Sequence, residues 1–186
     1  MRNLFLTNRF FALFGTIAAV FAASYAAGFL FPIAQVLFGG AMALTLADFI
    51  LLFHPKIKVA AVRRLPKLLS LGDPNKIFLD LENRSPVALR LAVIDELPFQ
   101  FQKRDFKILL RIAARDKQTL SYELTPVERG EYEFGVTNLF AATHLGLLQR
   151  RFRAAEPMTA PVYPSVIQMK HYELLAFNRV NTTQGL

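Results

Sequence analysis

The chain has 186 residues, a formal net charge of +8 and no cysteine. Without thiols, neither a disulfide framework nor a thiolate metal site can hold it together, so stability has to come from packing. Before residue 54 the ionisable residues are Arg2, Arg9 and Asp48, which leaves 20 Lys and Arg against 13 Asp and Glu for the rest. Five of those 20 lie in one run ending at Lys67. The excess charge is therefore local, and no aromatic platform or Gly-rich loop accompanies Arg150, Arg151 and Arg153 to make a nucleic-acid or phosphate site of them.

Residues 1–9 read as a cytoplasmic N-terminus. Two apolar runs follow, Phe10 to Phe31 and Ile33 to Phe53, with Asp48 as their one ionisable side chain. At about 1.5 Å per residue each covers the roughly 30 Å of a hydrocarbon core, which predicts two transmembrane helices. Gly28 can end the first helix, and Pro32 suits the first turn of the second because its missing amide proton leaves nothing unpaired there. A cleaved signal peptide is the rival, but its apolar core would be shorter and a polar cleavage region would follow it.

Basic residues flanking spans resist translocation. Arg2 and Arg9 precede the first span, and Lys56, Lys58, Arg63, Arg64 and Lys67 follow the second, so both termini are expected on the cytoplasmic side of a bacterial inner membrane. The same run suits anionic lipid heads. Gly15, Ala19, Ala23 and Ala27 on one helix and Gly39, Ala43 and Ala47 on the other form stripes of small residues, the candidate surface on which the pair closes. Asp48 sits about five residues from the cytoplasmic end, where it can reach the headgroups or pair with Arg9. An anchoring role is the expectation, and a proton or ion relay is the alternative.

From residue 56 to 164 the pattern alternates, the period of strands with one buried face. Ile57, Val59 and Ala61 share a face; Leu65 to Leu71 reads as a connection; Gly72-Asp73-Pro74-Asn75 and Asn83-Arg84-Ser85-Pro86 have turn chemistry. Ile77, Leu79 and Leu81, then Val87, Leu89, Leu91 and Val93, make inward rows. Ile108, Leu110 and Ile112 lead through a polar tip at Arg115 to Gln118 into Leu120, Tyr122 and Leu124, which reads as a hairpin. Tyr132, Phe134 and Val136, and then Leu147 to Phe152, complete about seven strands. The fold class expected is a membrane α-hairpin followed by an all-β, immunoglobulin-like antiparallel sandwich. Ser165 can cap a short C-terminal helix, and residues 165–186 form a helical or irregular tail.

No nucleophile elbow, zinc-binding, phosphate-loop or dinucleotide motif occurs, so no catalytic, metal or cofactor residue is assigned. Asp95 and Glu96 are adjacent, and adjacent strand residues point to opposite faces. Pro126 through Tyr132 reads as a structural corner: Pro126 stops a ladder, Gly130 permits a turn closed to other residues, and Tyr132 buries its ring while its hydroxyl bonds a loop carbonyl. Arg129 is expected to pair with Glu123 or Glu131 at the surface.

The run Leu124-Thr-Pro-Val-Glu-Arg-Gly-Glu-Tyr132, the Leu145-Gly-Leu147 segment with the Arg150-Arg151 pair, and Val162-Tyr-Pro164 resemble the amino-terminal half of the bacterial domain of unknown function 58 family. The paired spans, Asn83-Arg84-Ser85 and Asp95-Glu-Leu-Pro98 belong to the same resemblance. It implies an inner-membrane protein whose β domain precedes a von Willebrand factor type A-like domain, working beside a MoxR-type AAA+ ATPase. The sequence ends at Leu186, before that second domain would begin, so none of its metal-binding positions is carried over, and a fragment, a truncated gene product or a deliberately shortened chain is expected. The function expected is a membrane-anchored interaction or scaffold module and not an enzyme, with the lipid bilayer and a MoxR-type ATPase as partners. The alternative is a membrane-bound enzyme or transporter subunit using Asp48.

Overall fold

The computed structural model describes residues 3–103 and 106–164. Arg2 and the tail expected over 165–186 lie outside the described residues. The elements in chain order are β1 (Leu4–Leu6), α1 (Asn8–Ser24), α2 (Leu30–Phe53), β2 (Val59–Arg64), β3 (Leu69–Ser70), β4 (Asn75–Asn83), β5 (Leu89–Asp95), β6 (Lys107–Ile112), β7 (Lys117–Leu124), β8 (Gly130–Phe134), β9 (Thr137–Ala142), β10 (Leu148–Ala155) and β11 (Met158–Tyr163). A single 3-10 turn covers Phe99–Phe101.

The hydroxyl of Thr7 caps α1 by accepting from the Phe10 amide at 3.3 Å, satisfying one of the donors that a helix start leaves orphaned. The helix ends at Ser24, seven residues short of the predicted Phe31. A turn over residues 25–29 hands the chain to α2, and Pro32 falls in the first turn, where an amide donor would have no acceptor within the helix. Pro55 excludes helical backbone at His54, which is extended at φ −60°, ψ 137°, and α2 stops at Phe53. Its 24 residues are long and apolar enough to cross a membrane, whereas α1, at 17 residues, is a shorter apolar helix.

The seam between the two helices differs from the one expected. Gly15, Ala19, Ala23, Gly39, Ala43 and Ala47 are exposed, and a Cβ added at Gly15 or Gly39 would touch nothing within 4 Å. What the seam buries is Ile17 on α1 and Ala34 and Ala41, one heptad apart, on α2. Phenylalanine rings fill it: Phe14 lies edge-on to Phe38 at 6.1 Å, and Phe21 meets Phe31 and Phe38 at 6.2 and 6.3 Å. Rings of that size gain dispersion contact over alanine notches, which outweighs the close backbone approach a Gly/Ala stripe would permit.

The remaining strands build a sandwich. One sheet has the order β1-β10-β9-β5-β6, a second β2-β4-β7 and a third β3-β11-β8. Pairing is antiparallel except between β11 and β3, where Val162 sits opposite Leu69 and Tyr163 opposite Ser70. The main core lies between the first two sheets. It joins Ile57, Ala61, Leu79 and Leu81 to Leu89, Leu91, Val93, Ile112, Leu139 and Ala141. Ile77 and Leu124, at the other ends of β4 and β7, pass into a second cluster with Leu69, Tyr132, Phe134, Ala160 and Val162.

Three expectations change. The segment taken for a free N-terminus contributes β1, which pairs with β10 at the edge of the five-stranded sheet, and the connection over Leu65 to Leu71 contains β3. β6 and β7 do not form a hairpin: β6 pairs with β5 and β7 with β4, so the polar tip crosses from one sheet to the other. Its amides and carbonyls find partners across that gap, Arg115 N–H on the Ser85 carbonyl and Asn83 N–H on the Asp116 carbonyl.

Candidate functional site

Asp48 lies within the last two turns of α2 and is completely buried. Arg9 does not partner its carboxylate. One oxygen accepts the Thr143 hydroxyl, and the other accepts the backbone amides of Leu147 and Leu148, each at 2.9 Å. Three donors converging on one carboxylate outside bulk water make a strong junction, because each bond is charge-assisted and no solvent competes. The expected pairing with Arg9 is therefore replaced by a bond between the helix and the sandwich: the β9–β10 loop presents its amides at the depth where the sequence offers only another helix.

That loop, residues 143–147, is gripped from two further directions. Thr7, besides capping α1, donates its hydroxyl to the Gly146 carbonyl at 2.7 Å, and its amide bonds the Leu147 carbonyl at 3.1 Å. From β5, Arg90 reaches the Thr143 carbonyl through Nε and Nη2 at 3.3 and 3.1 Å and the His144 carbonyl through Nη2. Gly146 is favoured by its backbone, and a side chain there would also push Arg90 off the loop. Its φ of +65° strains any other L-residue, and an added Cβ would stand 2.4 Å from Arg90 Nη2.

An apolar cluster of Leu52, Leu147 and Leu148, with Leu4, Leu13 and Phe53 packed on it, surrounds the junction. Arg150 closes the end of α2. Its Nη1 donates to the Leu52 carbonyl at 3.4 Å, and its guanidinium lies over the rings of Phe53 and Phe152 at 5.0 and 4.7 Å. Arg151, by contrast, bonds Asn138 within the sheet.

The basic run after α2 is divided by the fold. Lys56, Lys58 and Lys67 are exposed near the chain, as is Arg9 on α1, and Arg64 pairs with Asp80 on the outer face, where Thr119 and then Arg64 hold the Asp80 carboxyl below its ordinary range. Arg63 is different: it continues the inward row of Ile57, Val59 and Ala61 into the core. There it forms a fork with Asp95, Nε on Oδ2 at 3.2 Å and Nη2 on Oδ1, while Nη2 also reaches the Gly135 carbonyl and the Thr137 hydroxyl, each at 2.9 Å. Asp95 in turn accepts the hydroxyls of Thr137 and Tyr122. Burial, then the neighbouring Asp95 charge and its hydrogen bond, push the Tyr122 hydroxyl well above its ordinary pKa, with Arg63 opposing. Residue-by-residue parity exposes this network in the sequence, since Arg63 and Asp95 both fall on inward-facing positions of their strands.

Glu96 faces away from Asp95 and accepts from the Val136 amide and the Asn138 side chain. At the corner, Gly130 has φ +135°, Pro126 is buried, and Tyr132 is buried with its hydroxyl donating to the Glu128 carbonyl at 3.1 Å and accepting from the Glu128 amide at 3.3 Å. Arg129 is exposed, and none of the ion pairs among the described residues includes it.

No family model matches the chain, and no curated protein matches it. Among solved structures it is similar to a PapD-like domain of human CEP192, at 14% identity and TM-score 0.44, over 60% of this chain and 89% of that one. A CARDB domain from Pyrococcus furiosus is similar at 9% identity and TM-score 0.39, over 57% and 89%. A PKD domain of an M14-like peptidase from a Thermoplasmatales archaeon is similar at 11% identity and TM-score 0.35, over 59% and 99%. Similarity at this level carries no argument about function.

Proposed function

We propose that this chain is a multi-pass inner-membrane protein in which α1 and α2 form a membrane hairpin and the sandwich is a cytoplasmic interaction or scaffold module. Lipid is the solvent that suits α2, whose apolar side chains point outward everywhere except along its buried face: Val36 is 75% exposed, Leu46 57% and Ile50 58%. The turn over residues 25–29 is uncharged and extends the apolar length of α1. The observation that carries the reading is the Asp48 junction, because all of the hydrogen bonds on that carboxylate run to the sandwich. An acid so committed serves to hold a domain in fixed orientation on its anchor, and among the described residues its hydrogen-bond partners all lie on the sandwich. By its resemblance to the domain of unknown function 58 family, the module works with a MoxR-type AAA+ ATPase in assembly or maturation of other complexes, contributing recognition and no chemistry of its own.

Two experiments test this. Protease added to intact spheroplasts is expected to spare the sandwich and, added to inverted vesicles, to digest it; the reverse pattern overturns the topology. Purification of the native protein in mild detergent is expected to retain the ATPase or a client complex. Recovery of the chain alone overturns the scaffold role.

A further inference from the structure

The outer face of the five-stranded sheet carries a cleft of about 560 Å³ beside the start of α1. Its basic lining is Arg9, Arg90, Lys107 and Arg111, and among the described residues no acidic one lines it. Arg90 and Arg111 stand directly opposite each other in the β5–β6 register, a like-charge pair whose repulsion an anion between the heads would relieve. Arg9 adds a third charge from the first turn of α1. Burial and the nearby charges of Arg9 and Arg111 together depress the Arg90 pKa, with Asp48 opposing, so the three guanidiniums feel one another across the cleft.

A second cavity of about 250 Å³ shares Arg90 and Arg111 with the first. It is lined largely by apolar groups, among them Leu89 and Leu145, and it reaches Leu51 on α2. The path therefore runs from the side of a membrane-length helix, over apolar side chains, to a cluster of guanidiniums. Leu109, 72% exposed, and Phe140 give the basic cleft an apolar floor as well. A free phosphate would use the charges and leave that apolar path without a purpose. A phospholipid uses both.

We propose that this cleft binds the headgroup of an anionic phospholipid, its phosphate between Arg9, Arg90 and Arg111 and its glycerol and upper acyl carbons along Leu51 and Leu145. The proposal rests on the membrane reading above. Bound lipid relieves the repulsion across β5–β6 and keeps Arg90 in place to hold the β9–β10 loop on Asp48, so lipid charge and the rigidity of the junction are linked.

The test uses the full chain in mild detergent, titrated with phosphatidylglycerol or phosphatidylcholine and read by native mass spectrometry. Phosphatidylglycerol is expected to bind at least about tenfold more tightly, given the charge available near the surface. Arg9→Gln/Arg111→Gln is expected to abolish the preference, and Arg84→Gln, on an exposed turn, to keep it. Should the double variant fail to fold, Arg111→Gln alone, at an exposed strand position, is expected to reduce the preference several-fold. Equal binding of the two lipids overturns the proposal, as does a preference that Arg111→Gln leaves undiminished. Competition by inorganic phosphate at the same affinity as the lipid identifies a soluble anion as the ligand and also overturns it. Retention in the membrane pellet after alkaline carbonate is measured in parallel. A chain that resists extraction but shows no lipid preference refutes the cleft alone, whereas one that washes off refutes the membrane reading itself.

Discussion

Asp48 on α2 and Thr143 at the end of β9 are joined by a hydrogen bond that spans 95 positions of sequence and connects the apolar helix to the sandwich. With the Leu147 and Leu148 amides on its other oxygen, the carboxylate is the point where two solvents meet in one fold: α2 belongs to lipid on the proposed reading, and the loop belongs to the sheet.

Replacing Asp48 by Ala strands a hydroxyl and two amides in a buried space, which costs roughly 1–3 kcal/mol for each group left without a partner. Asp48→Asn is milder. Its carbonyl oxygen can still take both amides and its NH₂ can donate to Thr143, so the loss is expected to stay near 1 kcal/mol. Thermal unfolding in detergent, followed through sandwich fluorescence and helix circular dichroism separately, should show the two transitions part company in Asp48→Ala and remain together in Asp48→Asn. A relay carboxylate would give the opposite ranking of phenotypes, with Asn as damaging to activity as Ala.

Arg63 is the second residue whose surroundings set a magnitude. Removing one partner of a fully buried pair costs about 3–5 kcal/mol, because the other charge is left desolvated. Arg63→Ala is expected to fall in that range by urea denaturation, and Arg63→Met/Asp95→Leu to recover much of it by replacing both charges with apolar volume. If Arg63 served only to hold the chain on the cytoplasmic side, Arg63→Ala would alter topology and leave the sandwich's unfolding midpoint where it was.

How far the sequence reveals this fold depends on range. Period-two alternation identifies the inward rows of β4 and β5, and Pro126, Gly130 and Tyr132 identify the corner, because those signals are contained within ten residues or so. Alternation states which side chains share a face but not which sheet receives the strand, and so the sequence reads β6 and β7 as a hairpin although each pairs elsewhere. Leu4–Leu6 is too short and too close to an apolar helix to stand out as a strand, and it is specified only by β10, some 140 residues away. The partners of Asp48 were hidden for the same reason: two of its three donors are backbone amides, which carry no residue identity at all.

Alkaline pH should weaken the sandwich through Tyr122. Its hydroxyl is held above the ordinary value of 10.0, chiefly by burial. Below that value folded and unfolded chains are both protonated, and stability is intact. Above it the unfolded chain ionises and the folded one does not, so unfolding becomes easier by up to about 1.4 kcal/mol per pH unit. The midpoint of urea denaturation is expected to drop between about pH 9 and about pH 11 in the native protein and to be flatter in Tyr122→Phe. Equal slopes in the two would assign the alkaline loss to other groups.

The corner tyrosine gives a smaller effect. Tyr132→Phe keeps the buried ring and removes the hydroxyl that both donates to and accepts from Glu128, leaving a loop amide and carbonyl near the surface, where water can replace it in part. A loss of about 1 kcal/mol is expected from chemical denaturation. Tyr132→Ala, which empties a site packed against Phe101 at 5.0 Å, should cost about 3–5 kcal/mol.

The helix seam separates two packing schemes that composition alone leaves equivalent. Ala41 is buried between α1 and α2, and Ala43, two positions along, faces outward with its neighbours Gly39 and Ala47. Ala41→Leu has to displace either Phe rings or the α1 backbone, an overpacking that typically costs about 1–3 kcal/mol. The cost should appear as a wider separation of the helices, readable as lost distance restraint between spin labels near Ile17 and Ala34. Ala43→Leu adds the same volume at an exposed position, which the proposed membrane reading gives to lipid or detergent, so stability and label distances are expected to be unchanged. Had the Gly15 and Gly39 stripes formed the contact, the two substitutions would exchange their effects, because the small-residue face would then be the crowded one.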